Sequence, residues 1–149
     1  NRPPLPQFEH DTFQCLTPGL AAEIIQQTGN HWRKIFSILA KISFALFDTQ
    51  TDSWQQYRDS KLLTAEGFEA ISFAPYTARD NPQYFSIICG FQYAGEQLEL
   101  DRLISHQQFE KLKITSDKQC LITPYFDWRQ LNNEMLAVVI DIIRHNINP

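Results

Sequence analysis

The run from Asn30 to Phe47 constrains the fold more than any other stretch of the chain. Trp32, Ile35, Phe36, Leu39, Ile42, Ala45 and Leu46 recur at helical spacing. Ile38, Phe44 and Phe47 widen that stripe until the second half of the run is apolar nearly all round. A helix of this kind needs covering on most of its sides. The spacing therefore predicts a central helix over Asn30–Phe47, N-capped by Asn30, with other elements packed around it. The longest mainly apolar stretch, Ile35 to Phe47, is interrupted by Lys41 and falls well short of the ~20 residues that span a bilayer, so no membrane partner is expected.

Further helices are legible on either side. Thr17 reads as an N-cap with Pro18 at the first helical position, Leu20, Ile24 and Ile25 form an apolar stripe, and Gly29 reads as a C-cap. Asp52-Ser53 restarts a helix that runs to Leu63, with Trp54, Tyr57, Leu62 and Leu63 facing inward. At the other end of the chain, Leu131, Met135, Leu136, Val138, Val139, Ile142 and Ile143 predict a helix from about Arg129 to Asn146.

After Gly67 the pattern changes. Ala70–Ala74, Tyr84–Cys89 and Cys120–Thr123 are short apolar runs closed by Pro75, Gly90 and Pro124. Phe91 to Leu100 reads as a helix and His106 to Leu112 as a short helical turn. Short, continuously apolar strands separated by helical stretches point to a sheet covered on both faces. The expected architecture is α/β: a three-layer sandwich with a short, mainly parallel sheet and a helix-rich N-terminal half, in one domain over 1–149. Pro3, Pro4 and Pro6 make residues 1–16 an extended arm and loop. The chain opens on Asn1 rather than Met, as a trimmed or processed product would.

Charge and cysteine usage exclude several function classes. The 13 Lys and Arg against 17 Asp and Glu give a net charge of −4, the wrong sign for tight nonspecific nucleic-acid binding. Cys15, Cys89 and Cys120 are odd in number with no CxxC pair, which fits neither a disulfide framework nor a zinc site and points to a reducing, cytoplasmic compartment. His10, His31, His106 and His145 are scattered, so no metal or other cofactor is expected. There is no GxSxG elbow, no GxxxxGK[ST] loop and no GxGxxG.

Two loops end in the same small pattern. The first reads Ser72-Phe73-Ala74-Pro75-Tyr76 with Arg79 and Asp80 behind it, the second Thr123-Pro124-Tyr125-Phe126-Asp127-Trp128-Arg129. Ligands of open α/β sheets bind outside the carboxyl ends of the strands. Tyr76, Tyr125 and Trp128 offer stacking area, Arg79 and Arg129 a planar fork for an anion, and Asp127 a group to orient a donor or serve as base in a hydrolysis. A site using both loops requires them at the same end of the sheet. The bland alternative is that proline stops the strands, the aromatics cap the core and Asp127 starts a helix. Elsewhere, Trp54 to Asp59 reads as an amphipathic core helix, and Cys89 and Cys120 as small buried hydrophobes rather than nucleophiles.

Asn30-His31-Trp32-Arg33-Lys34, Trp54-Gln55-Gln56-Tyr57-Arg58-Asp59 and Pro124-Tyr125-Phe126-Asp127-Trp128-Arg129-Gln130 resemble blocks of an uncharacterised bacterial family of small proteins. That resemblance covers nearly the whole chain and implies no activity. Ile87-Ile88-Cys89-Gly90-Phe91-Gln92-Tyr93-Ala94 and the later strand ending in Pro124 are similar to the last two strands of the uracil-DNA glycosylase fold. In that family a glycine after one strand opens a helix, and a later strand delivers a His-Pro-Ser loop to DNA. Thr123-Pro124-Tyr125 stands in that place, so the histidine is missing and the resemblance implies a fold rather than a reaction.

The expected function is a cytoplasmic domain that binds a small planar or anionic, nucleobase- or nucleotide-like molecule at the strand ends. One rival is a non-catalytic protein–protein interaction module, suggested by 3 Trp, 5 Tyr and 11 Phe and by the proline arm, since extended proline segments lie in partner grooves. The other is a degenerate, glycosylase-like nucleic-acid-processing protein, which needs a basic face that the composition does not show.

Overall fold

The computed structural model describes Phe8, residues 15–76 and residues 84–147. The chain divides into two compact units, Asn1–Ala74 and Pro75–Pro149. It is an α/β fold with a helical N-terminal half, as the apolar patterning predicts.

In the first unit α1 spans Leu20–Thr28, α2 Asn30–Leu46 and α3 Trp54–Ser60, and the three helices pack against one another in every pairing. Their core holds Leu16, Ile24, Ile25, Trp32, Phe36, Tyr57, Leu62 and Leu63, with Phe8 inserted 5.9 Å from both the Trp32 and Phe73 rings. Each fully buried Leu, Ile or Phe there contributes about 1.5–3 kcal/mol. The start of α1 differs from expectation. Thr17 and Pro18 form a turn in which the Thr17 carbonyl accepts from the Leu20 amide (3.1 Å), and Gly19 occupies the cap position.

Gly29 (φ +78) joins α1 to α2 alone: its amide donates to the Ile25 carbonyl at 3.0 Å, and its own carbonyl accepts from the Arg33 amide at 3.4 Å. Only a residue at ease with positive φ can end one helix and begin the next in this way. Asn30 is thus the first helical residue of α2 and not its cap. Ser53 does cap α3, its Oγ accepting from the Gln56 amide at 3.1 Å, and the Gln56 side chain accepts from the Asp52 amide at 2.8 Å. The helix stops at Ser60, earlier than expected, and Leu63 (φ +60) turns the chain back.

The return is pinned by Glu69. Its carboxylate accepts from the Leu63 amide (2.7 Å), the Tyr57 hydroxyl (2.8 Å) and the Ser43 hydroxyl (2.5 Å), while the Phe68 amide donates to the Tyr57 oxygen at 3.2 Å. Beyond it, Ala70–Ala74 is not a strand. Ile71 and Phe73 instead pack onto the helical core, so a short apolar run is satisfied without a ladder partner. Leu16 makes an isolated parallel bridge to Thr64, its amide donating to the Leu63 carbonyl at 2.8 Å.

The second unit contains β1 (Ser86–Cys89), α4 (Phe91–Gln97), a 3-10 turn (Leu100–Arg102), β2 (Ile104–Ser105), β3 (Lys113–Ile114), β4 (Cys120–Thr123) and α5 (Asn133–Ile147). The sheet order is β1-β4-β3-β2. It is mixed rather than mainly parallel: β1 pairs with β4 in parallel, whereas β3 is antiparallel to both β4 and β2. The two shortest strands are missing from the sequence reading, and the expected helical turn at His106–Leu112 is their connection, with the His106 amide donating to the Leu112 carbonyl at 2.8 Å. Ile88, Cys120 and Ile122 on one sheet face pack with Ala94 of α4, Phe91, Tyr93 and Leu98.

Candidate ligand site at the strand ends

In the parallel β1–β4 pair Cys89 stands opposite Thr123, so both strands end level. The Gly90 amide donates to the Thr123 carbonyl at 2.8 Å, extending the ladder by one rung. Gly90 (φ +99) then opens α4, its carbonyl accepting from the Ala94 amide at 3.1 Å. Pro124, which has no amide proton, stops β4. Tyr125 follows and lays its ring over Gly90. A Cβ on residue 90 would come within 2.8 Å of Tyr125 Cε1 and Cζ, so the glycine is required both by its φ and by the ring above it. Tyr125 is 52% exposed.

The next residues form one tight turn. The Asp127 amide donates to the Tyr125 carbonyl (2.7 Å), Asp127 Oδ1 accepts from the Arg129 amide (2.9 Å), and the Asp127 carbonyl accepts from the Gln130 and Leu131 amides (2.9 and 2.8 Å). Phe126 and Leu131 are the buried plugs on either side of it. Trp128 is half-buried and Arg129 exposed. The turn delays the final helix to Asn133, where Asn132 Oδ1 accepts from the Met135 amide at 2.9 Å. Asn132 rather than Asp127 is therefore the cap, and its side chain occupies one of the first amides of α5.

Burial governs the two cysteines of the sheet. It pushes the Cys89 thiol up to about 12, against a Thr123 hydrogen bond that lowers it, and the Cys120 thiol up to about 11, against one from Tyr76. Both are thiols at neutral pH. The register also sets them on opposite faces, Cys89 with Thr123 and Cys120 with Ile122, so they do not face each other.

The site residues read from sequence are thus only partly brought together. Tyr125, Asp127, Trp128 and Arg129 share the turn after β4. Tyr76 does not join them. Its amide donates to Gln97 Oε1 at 2.9 Å, at the last residue of α4, and its side chain bonds Cys120, the first residue of β4. That is the amino end of the strand, about 10 Å from Thr123 at 3.3 Å per residue. Arg79 lies outside the described residues. The sequence reads Gly90 as the stop between a strand and a helix, but nothing in it signals the contact with Tyr125. Among the described residues no group of three His, Cys, Asp or Glu could hold a metal ion, and no helix is long and apolar enough to cross a membrane.

A family model described as a family of unknown function (DUF6942) matches residues 1–144. No curated protein and no solved structure matches the chain, and the likeness to the uracil-DNA glycosylase fold is not shown.

Proposed function

The chain belongs to this family of unknown function, and we propose that it is a bacterial, cytoplasmic protein that binds a small planar or anionic molecule, nucleobase- or nucleotide-like, at the carboxyl ends of β1 and β4. The observation that carries this reading is Tyr125, half exposed with its ring packed against Gly90. A tyrosine held in this way offers stacking area at little cost in side-chain entropy. Four residues on, the exposed Arg129 guanidinium has no ion-pair partner among the described residues, and it offers the planar fork that carboxylates and phosphates prefer. Trp128 adds apolar area beside it.

Asp127 fits a positioning role better than that of a base, because its Oδ1 shapes the turn that presents Arg129. Three free cysteines support the reducing compartment, and the acidic balance argues against a nucleic-acid partner.

The test is a thermal-shift scan of the full chain against nucleobases, nucleosides, nucleotides and small carboxylates. A ligand at 100 times its Kd stabilises by about 2.7 kcal/mol, on the order of 5–10 °C for a chain of this size. A shift lost in both Tyr125→Ala and Arg129→Ala establishes the site. A flat scan, or a shift indifferent to both changes, rejects it.

One observation favours the interaction reading instead. Ile104 is 54% exposed on β2, which ends the sheet order, and an apolar edge strand invites pairing with another chain. Sedimentation at several concentrations separates the two: self-association removed by Ile104→Lys supports an interaction module, and a strictly monomeric chain removes self-association as its form.

A further inference from the structure

We propose that a cleft in the first unit binds a small zwitterion of the α-amino-acid type. The cleft, about 290 Å³, lies between the α2–α3 connection and the chain that returns after α3, and is lined by Asp48, Thr49, Gln50, Lys61, Glu66 and Phe68. None of these residues belongs to the strand-end site.

The cleft is lined by charges of both signs that form no ion pair with one another. Lys61 Nζ donates to the Thr49 carbonyl at 3.0 Å, which leaves two of its three protons for another acceptor. Among the described residues no ion pair joins Lys61 to Asp48 or Glu66, although all three line the same space. Asp48 Oδ1 accepts from the Gln50 amide at 3.1 Å, and the Glu66 carboxylate is exposed with no described partner. A simple anion would meet two carboxylates here, and a simple cation would meet the Lys61 ammonium. A ligand carrying both charges satisfies both signs: its carboxylate meets Lys61, and its ammonium meets Glu66 and Asp48.

The third wall is apolar. Phe68 is 49% exposed and stacks on Phe47 with ring centroids 4.5 Å apart and planes 10° from parallel, so its free area suits an apolar side chain. The cleft is also pre-shaped, which lowers the ordering cost of binding. Glu69, held by Tyr57, Ser43 and Leu63, anchors one wall, and a Cβ on residue 67 would strike the Lys61 carbonyl at 2.8 Å and Glu69 Oε1 at 2.9 Å. The other wall turns at Gln50, held at φ +53 with the Asp48 bond across it. A divalent cation fits less well, because Lys61 already covers the Thr49 carbonyl.

The experiment is titration calorimetry on the full chain with L-phenylalanine, L-leucine and L-glutamine, alongside phenethylamine and phenylpropanoate, which keep only one charge each. The expected result is saturable binding of at least one amino acid and none of comparable strength for the single-charge analogues. Glu66→Gln is expected to weaken binding about tenfold or more, the usual worth of a charged hydrogen bond. Because Glu66 is exposed and unpartnered, that change leaves the fold intact. Lys61→Met is expected to abolish binding, and Arg129→Ala to leave it unchanged, which keeps this cleft distinguishable from the strand-end site. The proposal is overturned if no amino acid binds, if either analogue binds as tightly, or if Glu66→Gln binds as the parent does.

Discussion

Tyr125 and Gly90 occupy each other's space: the ring edge lies 2.8 Å from where a Cβ on residue 90 would stand. Gly90→Ala therefore has two costs, a strained positive φ of about 1–2 kcal/mol and displacement of the ring. We expect a loss of about 2–3 kcal/mol by urea unfolding. The double variant with Tyr125→Ala should recover the part due to the ring, leaving the backbone part. Additive losses in that cycle would contradict the contact.

The Tyr57 hydroxyl is buried between the Glu69 carboxylate and the Phe68 amide. Tyr57→Phe leaves two polar groups short of a partner and is expected to cost about 1–3 kcal/mol. Burial, then the Glu69 charge, raises the Tyr57 pKa above its ordinary 10.0. The folded state thus keeps a proton that the unfolded state releases. Stability from this group is complete below about pH 10 and falls as pH rises above it. Unfolding midpoints measured from pH 8 to 11 should drop more steeply in the parent chain than in Tyr57→Phe.

Cys15 is exposed, while burial holds the Cys89 and Cys120 thiols at about 12 and about 11. A thiol reagent at neutral pH should modify Cys15 rapidly, the partly exposed Cys89 slowly and the buried Cys120 only on unfolding. Cys15→Ser should remove the fast phase entirely. Rapid labelling of all three would show that both faces of the sheet are open.

Asn132 begins the last helix. Asn132→Ala should cost about 1 kcal/mol and Asn132→Asp little, since either oxygen-bearing side chain serves the Met135 amide. Asp127→Ala should instead loosen the turn that holds Arg129, lowering affinity at the strand ends more than stability. Equal stability losses for the two alanine variants would put Asp127 back in the role of a helix start.

Much of the helical half was legible because its signal is periodic. Trp32, Phe36 and Ile42 are buried as their spacing requires, whereas Phe44 and Ala45, read as part of an apolar surface needing cover on most sides, are exposed. Helix ends were less legible, since Gly29 and Gly19 took cap positions that Asn30 and Thr17 would fill equally well by type. The strand at Ala70–Ala74 failed for a different reason. A short apolar run reports burial, and Ile71 and Phe73 are packed on the helical core, but nothing local says whether a ladder partner exists. β2 and β3 are two residues each, too short for any period to register.

The strand-end site was half legible. Tyr125, Asp127, Trp128 and Arg129 are contiguous, so sequence sufficed to group them. Tyr76 shares their residue types, yet its bonds to Gln97 and Cys120 place it at the other end of β4. Matching composition at two loops does not fix which end of a sheet each one reaches. The cleft of Lys61, Glu66 and Phe68 left no motif because it depends on the positive φ of Gln50 and Leu63, which neither residue type announces.

The single residue between α1 and α2 leaves no slack. Because Gly29 closes one helix and opens the next, one added residue at this corner would rotate all of α2 by about 100° about its axis. Trp32 and Phe36 would then leave the core together. Surface loops usually absorb changes of length, but this junction is a fixed spacer whose residue count is as much a part of the structure as any side chain.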